Sequence, residues 1–427
     1  MKKMSGDFID IHDYQKRYQT TIEYLNKTDI SEQNKRQILK FDETLALVDR
    51  VSLPRRIRVI GYLINLDKKY LIKDFEQANK DDLKAAIKKI DDNPNYSVWT
   101  KQGYRVVIKK FYRWLEYKDE YNAPDKKMNY PPRVSWINCN IRREDIPRVT
   151  ASSILTEIEV TKMLESASDD VRNEAIIATL YEDGCRIGEH GGVRLKHIRK
   201  EGDCYIITVK GKTGTRETFV VKFANILTNW LNIHPYKDDP DAPLWVKENS
   251  KEPLKYNAFK MLVQRIAKKA GITKRIYPHI FRHSRATHSI INGEFTTEGA
   301  KKIFGWCPDS KMLETYIHLT AEDIKDKYLE KLGLAKKQNG SILDPKICPN
   351  CRHPNLFNAS ICENCKYLLN VNIGIEKDER MIAMRKFLLA LSEDTYIKFR
   401  ISQMAQEKQE LMGIIESIAS DGSNARS

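Results

Sequence analysis

The sequence predicts a mainly α-helical protein that carries a small antiparallel β-sheet. Apolar residues recur at helical spacing from about residue 7 to 121 and again after residue 155. Two β-type runs, 204–210 and 218–222, flank the glycine-containing turn 211–214 and indicate a hairpin. A chain of 427 residues is too long for one ordinary core, so we expect at least two domains with appendages.

The N-terminal helices have recognisable starts. Ser31 is placed to cap the next helix, Pro54 suits a first helical turn, and Ser97 can cap a helix with an apolar stripe. The other face of that last helix is basic and suits contact with a DNA backbone, although a solvated charged face would look the same. The cations of this predicted DNA-binding face are Lys101, Arg105, Lys109, Lys110 and Arg113.

The helical pattern breaks after residue 121. Prolines and polar residues, followed by a stretch with few local signals, predict an interdomain linker over residues 122–150. A second domain is expected over residues 151–337, and Thr156 with Glu159 forms a plausible capping box at its first helix. A helical pattern over residues 374–420 predicts a C-terminal helix, which can pack on the body or against another subunit.

The net charge of the chain indicates which classes of binding partner to expect. The 73 Lys and Arg residues outnumber the 58 Asp and Glu residues and give a formal net charge of +15. Such a surface attracts polyanions, and nucleic acid is the natural candidate, although surface charge also serves solubility alone. The sequence shows neither an apolar signal segment nor an apolar run that could cross a bilayer, so we expect a cytoplasmic protein.

Two tight cysteine pairs predict a metal site. Cys348 and Cys351 form one C-x2-C pair, and Cys362 and Cys365 form a second about ten residues later. This spacing is typical of a zinc ribbon with four thiolates around one ion, expected here over residues 345–370. Because protein ligands would fill all four positions, a structural zinc is expected rather than one that takes part in catalysis.

Three segments carry residues suited to phosphate chemistry: 181–189, 278–288 and 304–319. Arg186 and Arg282 can each direct two N–H groups onto phosphate oxygens as charge builds in a transition state. His279 and Arg282 are three residues apart, which places them on one face of a helix. A capping or core histidine at the helix start is the alternative interpretation of His279.

These segments resemble the tyrosine recombinase and integrase family, and the paired cysteines make the chain most similar to archaeal, Xer-like members. The resemblance implies a helical core-binding domain over residues 1–121 and a mixed α/β catalytic domain over residues 151–337. It implies that Tyr316 is the nucleophile and forms a 3′-phosphotyrosyl bond, so that rejoining needs no ATP and the chemical step needs no metal. Arg186 and Arg282 would then hold the phosphate, and His279 would hydrogen-bond it or help to accept the tyrosine proton.

The family pattern also suggests further roles. Lys212, at the predicted hairpin tip, would protonate the departing 5′ oxygen, with Lys210 as the rival assignment. Trp306 stands where many members have a second histidine, and its indole can donate one bond to the phosphate, or it can serve as a core residue. Glu189 would orient Arg186 or its helix. His190, Gly191 and Gly192 replace the apolar pair that usually follows the acid, and two glycines weaken a helix interior.

The resemblance implies double-stranded DNA as substrate, with a dimer on each site and a tetrameric synapse. Two other functions are compatible with parts of the pattern. A type IB topoisomerase would use a similar cluster to relax one duplex, although the chain's size and recombinase-like motifs argue against it. A DNA-binding regulator with a zinc ribbon would need no positioned tyrosine, so the complete set of catalytic residue types favours an enzyme.

Overall fold

The computed structural model describes residues 7–121, 129–146, 153–211, 214–307 and 341–369, and the single positions 325, 329 and 332. Within these ranges the protein is mainly α-helical with two small antiparallel sheets, which confirms the predicted fold class. The helices within these ranges are all too short or too polar to span a membrane.

Five long helices build the N-terminal part, and their starts confirm the predicted caps. The Ser31 and Ser97 hydroxyls accept hydrogen bonds from the backbone N–H groups of Asn34 and Thr100, each at 3.2 Å. These bonds satisfy helix donors that otherwise lack partners. The helices are α1 (Tyr14–Lys27), α2 (Glu32–Leu47), α3 (Leu53–Tyr70), α4 (Lys80–Asp91) and α5 (Val98–Tyr117).

One apolar core joins these helices. The Phe111 ring lies edge-on to Phe41 and Phe75, with centroids 5.3 and 4.9 Å apart. Val134 and Ile137, within the predicted linker, are buried in the same cluster. The short helix α6 (Pro132–Ser135) therefore packs with the N-terminal helices, because its apolar side chains complete their core.

The following part combines helices with a three-stranded sheet in the order β1-β2-β3. The predicted hairpin is confirmed, and Gly211 of β2 lies opposite Gly214 of β3. Strand β3 starts four residues before the predicted run because its polar first residues still pair with β2. The elements are α7 (Glu157–Ala167), α8 (Val171–Glu182), α9 (Ile187–His190), β1 (Ile198–Glu201), β2 (Cys204–Gly211), β3 (Gly214–Val220), α10 (Ala224–Ile233), α11 (Tyr256–Lys269), α12 (Pro278–Ile291) and α13 (Thr297–Phe304).

Residues 7–13, which we call the N-terminal strap, contact the part of the chain around α9 and α11. The backbone N–H of Ile9 donates to the Gly192 carbonyl, and the N–H of Tyr256 donates to the Ile11 carbonyl, both at 3.0 Å. Ile11 is buried. The strap thus connects the start of α1 to residues that lie almost 250 positions later in the sequence. The domain boundary at residue 121 stays a prediction.

The cysteine-rich segment belongs to a second compact unit, formed by residues 222–225 and 339–427. Its described part carries two short strands, β4 (Lys346–Ile347) and β5 (Pro354–Asn355), which pair antiparallel. Lys222 forms an ion pair with Asp344 at 2.7 Å, which ties the two stretches of this unit together. The predicted C-terminal helix at 374–420 lies outside the described residues.

Candidate active site

A sharp turn between α8 and α9 presents Arg186. Gly184 adopts a left-handed conformation at φ +53°, which glycine reaches without a steric penalty. Arg186 is the N-cap of α9, and its backbone N–H donates to the Glu189 carboxylate at 3.0 Å. The Arg186 guanidinium donates to the other oxygen of that carboxylate at 2.8 Å. Glu189 therefore orients Arg186, as the sequence predicts, and the arginine side chain stays about one-third exposed.

Helix α12 supplies the next two predicted residues. Arg282 is 1% exposed, and its guanidinium donates to the carbonyls of Gly184, at 2.9 Å, and of Phe304. These bonds join the turn that carries Arg186 to the end of α13. Arg282 thus holds two parts of the site together from the centre, in addition to contributing charge.

His279 lies one helical turn before Arg282 and is half-buried. Its ring meets that of His283 edge-on at 4.6 Å. Burial first, and then the positive charges of neighbouring side chains, lower the pKa of His279 to about 4. The neighbours that lower it are His283, Arg282 and Arg186. The imidazole is therefore neutral at pH 7 and has a lone pair that can accept a proton.

Trp306 lies beside this group. Gly305 ends α13 in a left-handed conformation at φ +59°, and the next backbone N–H, that of Trp306, bonds to Lys301. The indole is buried against Phe304, and the Arg282 guanidinium lies 5.8 Å from the Trp306 ring centroid. Cation–π contact and packing thus fix the tryptophan within reach of the same centre.

Two predicted catalytic residues, Lys212 and Tyr316, lie outside the described residues. The rival lysine, Lys210, is exposed on β2 and pairs across the sheet with Thr215. The structure therefore brings together four of the predicted residues from three separate segments: Arg186, His279, Arg282 and Trp306. The assignments of Lys212 and Tyr316 stay predictions.

Sequence reasoning did not identify Arg216, on β3, as part of this centre. Its guanidinium donates to Glu189 at 2.8 Å and to the Ile303 carbonyl at 2.9 Å. It also lies against Gly305, where an added Cβ would be 3.1 Å from the guanidinium carbon. The available signal was weak, since Arg216 is one of several polar residues at the start of the strand.

The unexpected glycine pair has a steric explanation. A Cβ at Gly191 would lie 2.7 Å from the Ile11 side chain, and one at Gly192 would lie 2.8 Å from the Ile9 carbonyl oxygen. Larger residues would therefore push the N-terminal strap away. Next to this pair, His190 is buried, bonds to Asp183 at 2.7 Å and stacks on Trp245.

Further contacts fix the two ends of the strap. Asp7 forms an ion pair with Lys196, and Asp13 forms one with Lys255 at 2.6 Å. The Phe8 ring stacks on His197 with centroids 4.1 Å apart. These contacts hold the strap against residues 196–197 and against Lys255, just before α11.

The five cations of the predicted DNA-binding face all have partners within the protein. Lys101 and Arg105 bond to Asp91, and Lys110 forms an ion pair with Asp49 at 2.6 Å. Lys109 donates to the Ile137 carbonyl, and Arg113 is buried between two tyrosine rings. DNA would have to compete with these contacts, so the role of this face stays a prediction.

The four paired cysteines converge in the second unit. Their sulfur atoms all lie within 4.8 Å of one another and can hold a metal ion. The Sγ atoms of Cys348 and Cys365 are 3.5 Å apart, and those of Cys351 and Cys362 are 3.6 Å apart. Tetrahedral zinc with its usual Zn–S bond requires a separation of about 3.8 Å, so the residues fit this ion.

Comparison with known proteins identifies relatives of this chain. Residues 153–323 match the model of the phage integrase family. The chain is 27% identical over 177 residues to tyrosine recombinase XerC of Lactobacillus leichmannii, covering 40% of this chain and 59% of that protein. It is 24% identical over 223 residues to XerC of Escherichia coli O157:H7 strain EC4115, covering 52% of this chain and 70% of the relative.

Solved structures share the fold. The integrase of transposon Tn1549, in complex with transposon right end DNA, aligns with a TM-score of 0.51 and 16% identity, over 70% of this chain and 99% of the other. A lambda integrase tetramer bound to a Holliday junction aligns with a TM-score of 0.51 and 12% identity, over 66% and 76%. At these identities, the likeness shows a common fold.

Proposed function

Since this chain belongs to the phage integrase family, we propose that it is a site-specific DNA recombinase that cuts and rejoins strands through a 3′-phosphotyrosyl intermediate. The observation that carries the proposal is the convergence of Arg186, His279 and Arg282 around one centre. Two sequence segments more than 90 residues apart supply these groups, which a phosphoryl transfer needs. A structural core would not need a partly exposed arginine beside a neutral histidine.

The cluster suits stabilisation of a phosphate transition state. Arg186 is the cation with an exposed portion, so we assign it to the non-bridging oxygens of the scissile phosphate. His279 is neutral at pH 7 and can accept a hydrogen bond or the proton of the nucleophile. Arg282 adds positive potential from the interior while holding the backbone of the turn.

The remaining chemical roles rest on the family resemblance. We assign Tyr316 as the nucleophile and Lys212 as the acid that protonates the departing 5′ oxygen. A phosphotyrosyl bond conserves the energy of the phosphodiester, so rejoining needs neither ATP nor, in this proposal, a metal at the chemical step. The cysteine cluster would hold a structural zinc, which supplies a fixed centre around which residues 345–370 fold.

Double-stranded DNA is the proposed substrate, bound between the helical domain at 1–121 and the catalytic domain at 151–337. The excess of positive charge favours this partner. A dimer on each site and a tetramer in the synapse follow from the proposed exchange of strands between two duplexes. A cytoplasmic location remains part of the proposal.

The test is covalent capture of DNA. Purified protein is incubated with a library of nicked duplexes, and the fragments attached to it are recovered and sequenced. We expect wild type to form adducts at a defined sequence and Tyr316→Phe to form none while binding the same duplex, because phenylalanine has no oxygen nucleophile.

Tyr24→Phe is the matched control, since Tyr24 is an exposed tyrosine of α1, and it should form adducts at the wild-type rate. Adducts with Tyr316→Phe would show that another residue attacks. Binding without any adduct from wild type would instead favour a DNA-binding regulator. Relaxation of one supercoiled duplex without exchange would favour a topoisomerase.

A further inference from the structure

Arg216 and Arg186 share one buried carboxylate. Glu189 is 3% exposed, and one of its oxygens accepts from the Arg186 guanidinium while the other accepts from that of Arg216, each at 2.8 Å. The two arginines differ in exposure, since the Arg216 side chain is 12% exposed and that of Arg186 is 32% exposed. Arg186 can therefore turn toward solvent, whereas Arg216 is held inside.

Several contacts hold Arg216 in this place. Its Nε donates to the Ile303 carbonyl, and its Nη2 also lies 3.4 Å from the Cys185 sulfur. Its Nη1 is buried and makes no hydrogen bond to any residue that the structure describes. A long cationic side chain with a buried unpaired donor is costly, which argues that its pairing with Glu189 serves a purpose beyond packing.

The carboxylate itself is closely confined. A Cβ at Gly211 would clash with the Glu189 carboxylate, so the hairpin backbone closes over it. Burial alone would raise the pKa of Glu189, but the hydrogen bond and charge of Arg216, followed by those of Arg186, hold it below the usual value. Glu189 thus stays ionised and requires at least one cation.

We propose that Arg216 is a positioning residue: it neutralises Glu189 so that the Arg186 guanidinium can leave this carboxylate and bind the scissile phosphate. This inference rests on the proposed function. Without Arg216, the departure of Arg186 would leave a buried carboxylate unpaired, so Glu189 would retain Arg186 and compete with the DNA.

The test compares rates of covalent adduct formation in single turnover, with the full-length protein and the duplex recovered in the adduct library. Arg216→Gln removes the charge, and we expect a loss on the order of 100-fold, as for a misplaced catalytic group. Adding Glu189→Gln removes the competing carboxylate. The double variant Glu189→Gln/Arg216→Gln should therefore react at least about tenfold faster than Arg216→Gln alone.

A purely structural role for Arg216 would give no such rescue, so a double variant as slow as Arg216→Gln would overturn the proposal. Arg199→Gln is the matched control, because Arg199 is an exposed arginine of the same sheet that pairs with Glu217. Its rate should equal that of wild type. A comparable loss in Arg199→Gln would also overturn the proposal.

If Arg216→Gln fails to fold, Arg216→Lys provides the second variant. An ammonium still neutralises Glu189, so adduct formation within about tenfold of wild type is expected. A 100-fold loss at unchanged Tm would contradict the proposal. If wild type forms no adduct with any duplex, the proposed function fails, and this role fails with it; adducts formed equally well by wild type and Arg216→Gln refute this role alone.

Discussion

Arg186 and Arg282 occupy different environments although the sequence suggested similar roles for them. Arg282 is fully buried and bonds to two backbone carbonyls, whereas Arg186 is partly exposed and pairs with one carboxylate. Motif spacing is sufficient to find the two arginines because each lies in a short local pattern. It could not show which one is buried, since burial depends on segments about 100 residues away.

Arg216 shows why part of the site was missed. It lies in Thr215–Thr218, a run of four polar residues that gives no sign of a buried side chain. Its partner Glu189 is 27 residues earlier, and only the folded sheet brings the two together. Charge pairs of this kind leave no periodic signal in the sequence.

The low pKa of His279 gives a prediction for the DNA-free protein. Because burial disfavours the charged imidazole, folded His279 should take up a proton only near pH 4, whereas the unfolded residue does so near pH 6.5. This residue therefore lowers the free energy of unfolding as pH falls from about 6.5 to 4. The measurement is an NMR pH titration of ¹⁵N-histidine-labelled protein.

The signal of His279 is identified by its loss in His279→Asn. A midpoint at or above 6.5 in the DNA-free protein would show that the imidazole is not buried among cations as described. The unfolded protein in denaturant is the control for exposed histidines. Its histidine signals should titrate near the ordinary histidine pKa.

At the scale of elements, helix starts were the best predicted features. Ser31, Ser97 and the Thr156–Glu159 capping box all act as caps, because capping depends on side chains within three residues. Strand β1 was not predicted, since its four residues are mostly charged and its partner lies across a turn. The packing of the N-terminal strap could not be predicted from any local pattern.

The strap makes Gly192 a sensitive position. In Gly192→Ala the new Cβ would meet the Ile9 and Gly188 carbonyl oxygens at 2.8 and 2.9 Å, so the backbone must move. We expect the free energy of unfolding to fall by about 1–3 kcal/mol, a typical cost of overpacking. Unfolding by denaturant, monitored by circular dichroism, measures this free energy of unfolding.

Gly61→Ala is the control, because a Cβ there contacts nothing within 4 Å and the residue lies inside helix α3. This change should stabilise the protein by roughly 0.5–1 kcal/mol through helix propensity. Equal stability of Gly192→Ala and wild type would mean that residues 7–13 do not pack on this turn.

At the scale of the whole molecule, composition and motifs predicted the helical fold, the hairpin and the cysteine cluster. The cysteine pairs were predictable because two C-x2-C pairs so close together along a chain are typical of a metal site. The linker over residues 122–150 stays a prediction, and Val134 and Ile137 within it join the N-terminal core. A few apolar residues inside a polar stretch form a pattern that is too weak to predict their burial.

The second compact unit leads to a prediction about metal. Purified protein should contain one zinc per chain by elemental analysis, and Cys362→Ser should lose most of it, because three thiolates leave the tetrahedral site incomplete. If the zinc is structural, Cys362→Ser should still form the covalent adduct with DNA.

Cys204→Ser removes a cysteine outside the cluster and should keep the full zinc content. Zinc-free wild-type protein purified without chelators would contradict the metal assignment. Loss of adduct formation in Cys362→Ser at unchanged Tm would contradict a purely structural role.

The N-terminal strap also has a consequence for biosynthesis. Ile9 and Ile11 are synthesised before their backbone partners Gly192 and Tyr256, which follow some 180 to 245 residues later. At ordinary translation rates this interval is roughly 10–50 s. The helices that follow the strap can thus fold first, and the turn behind Arg186 is braced only after Gly192 and Tyr256 have been synthesised.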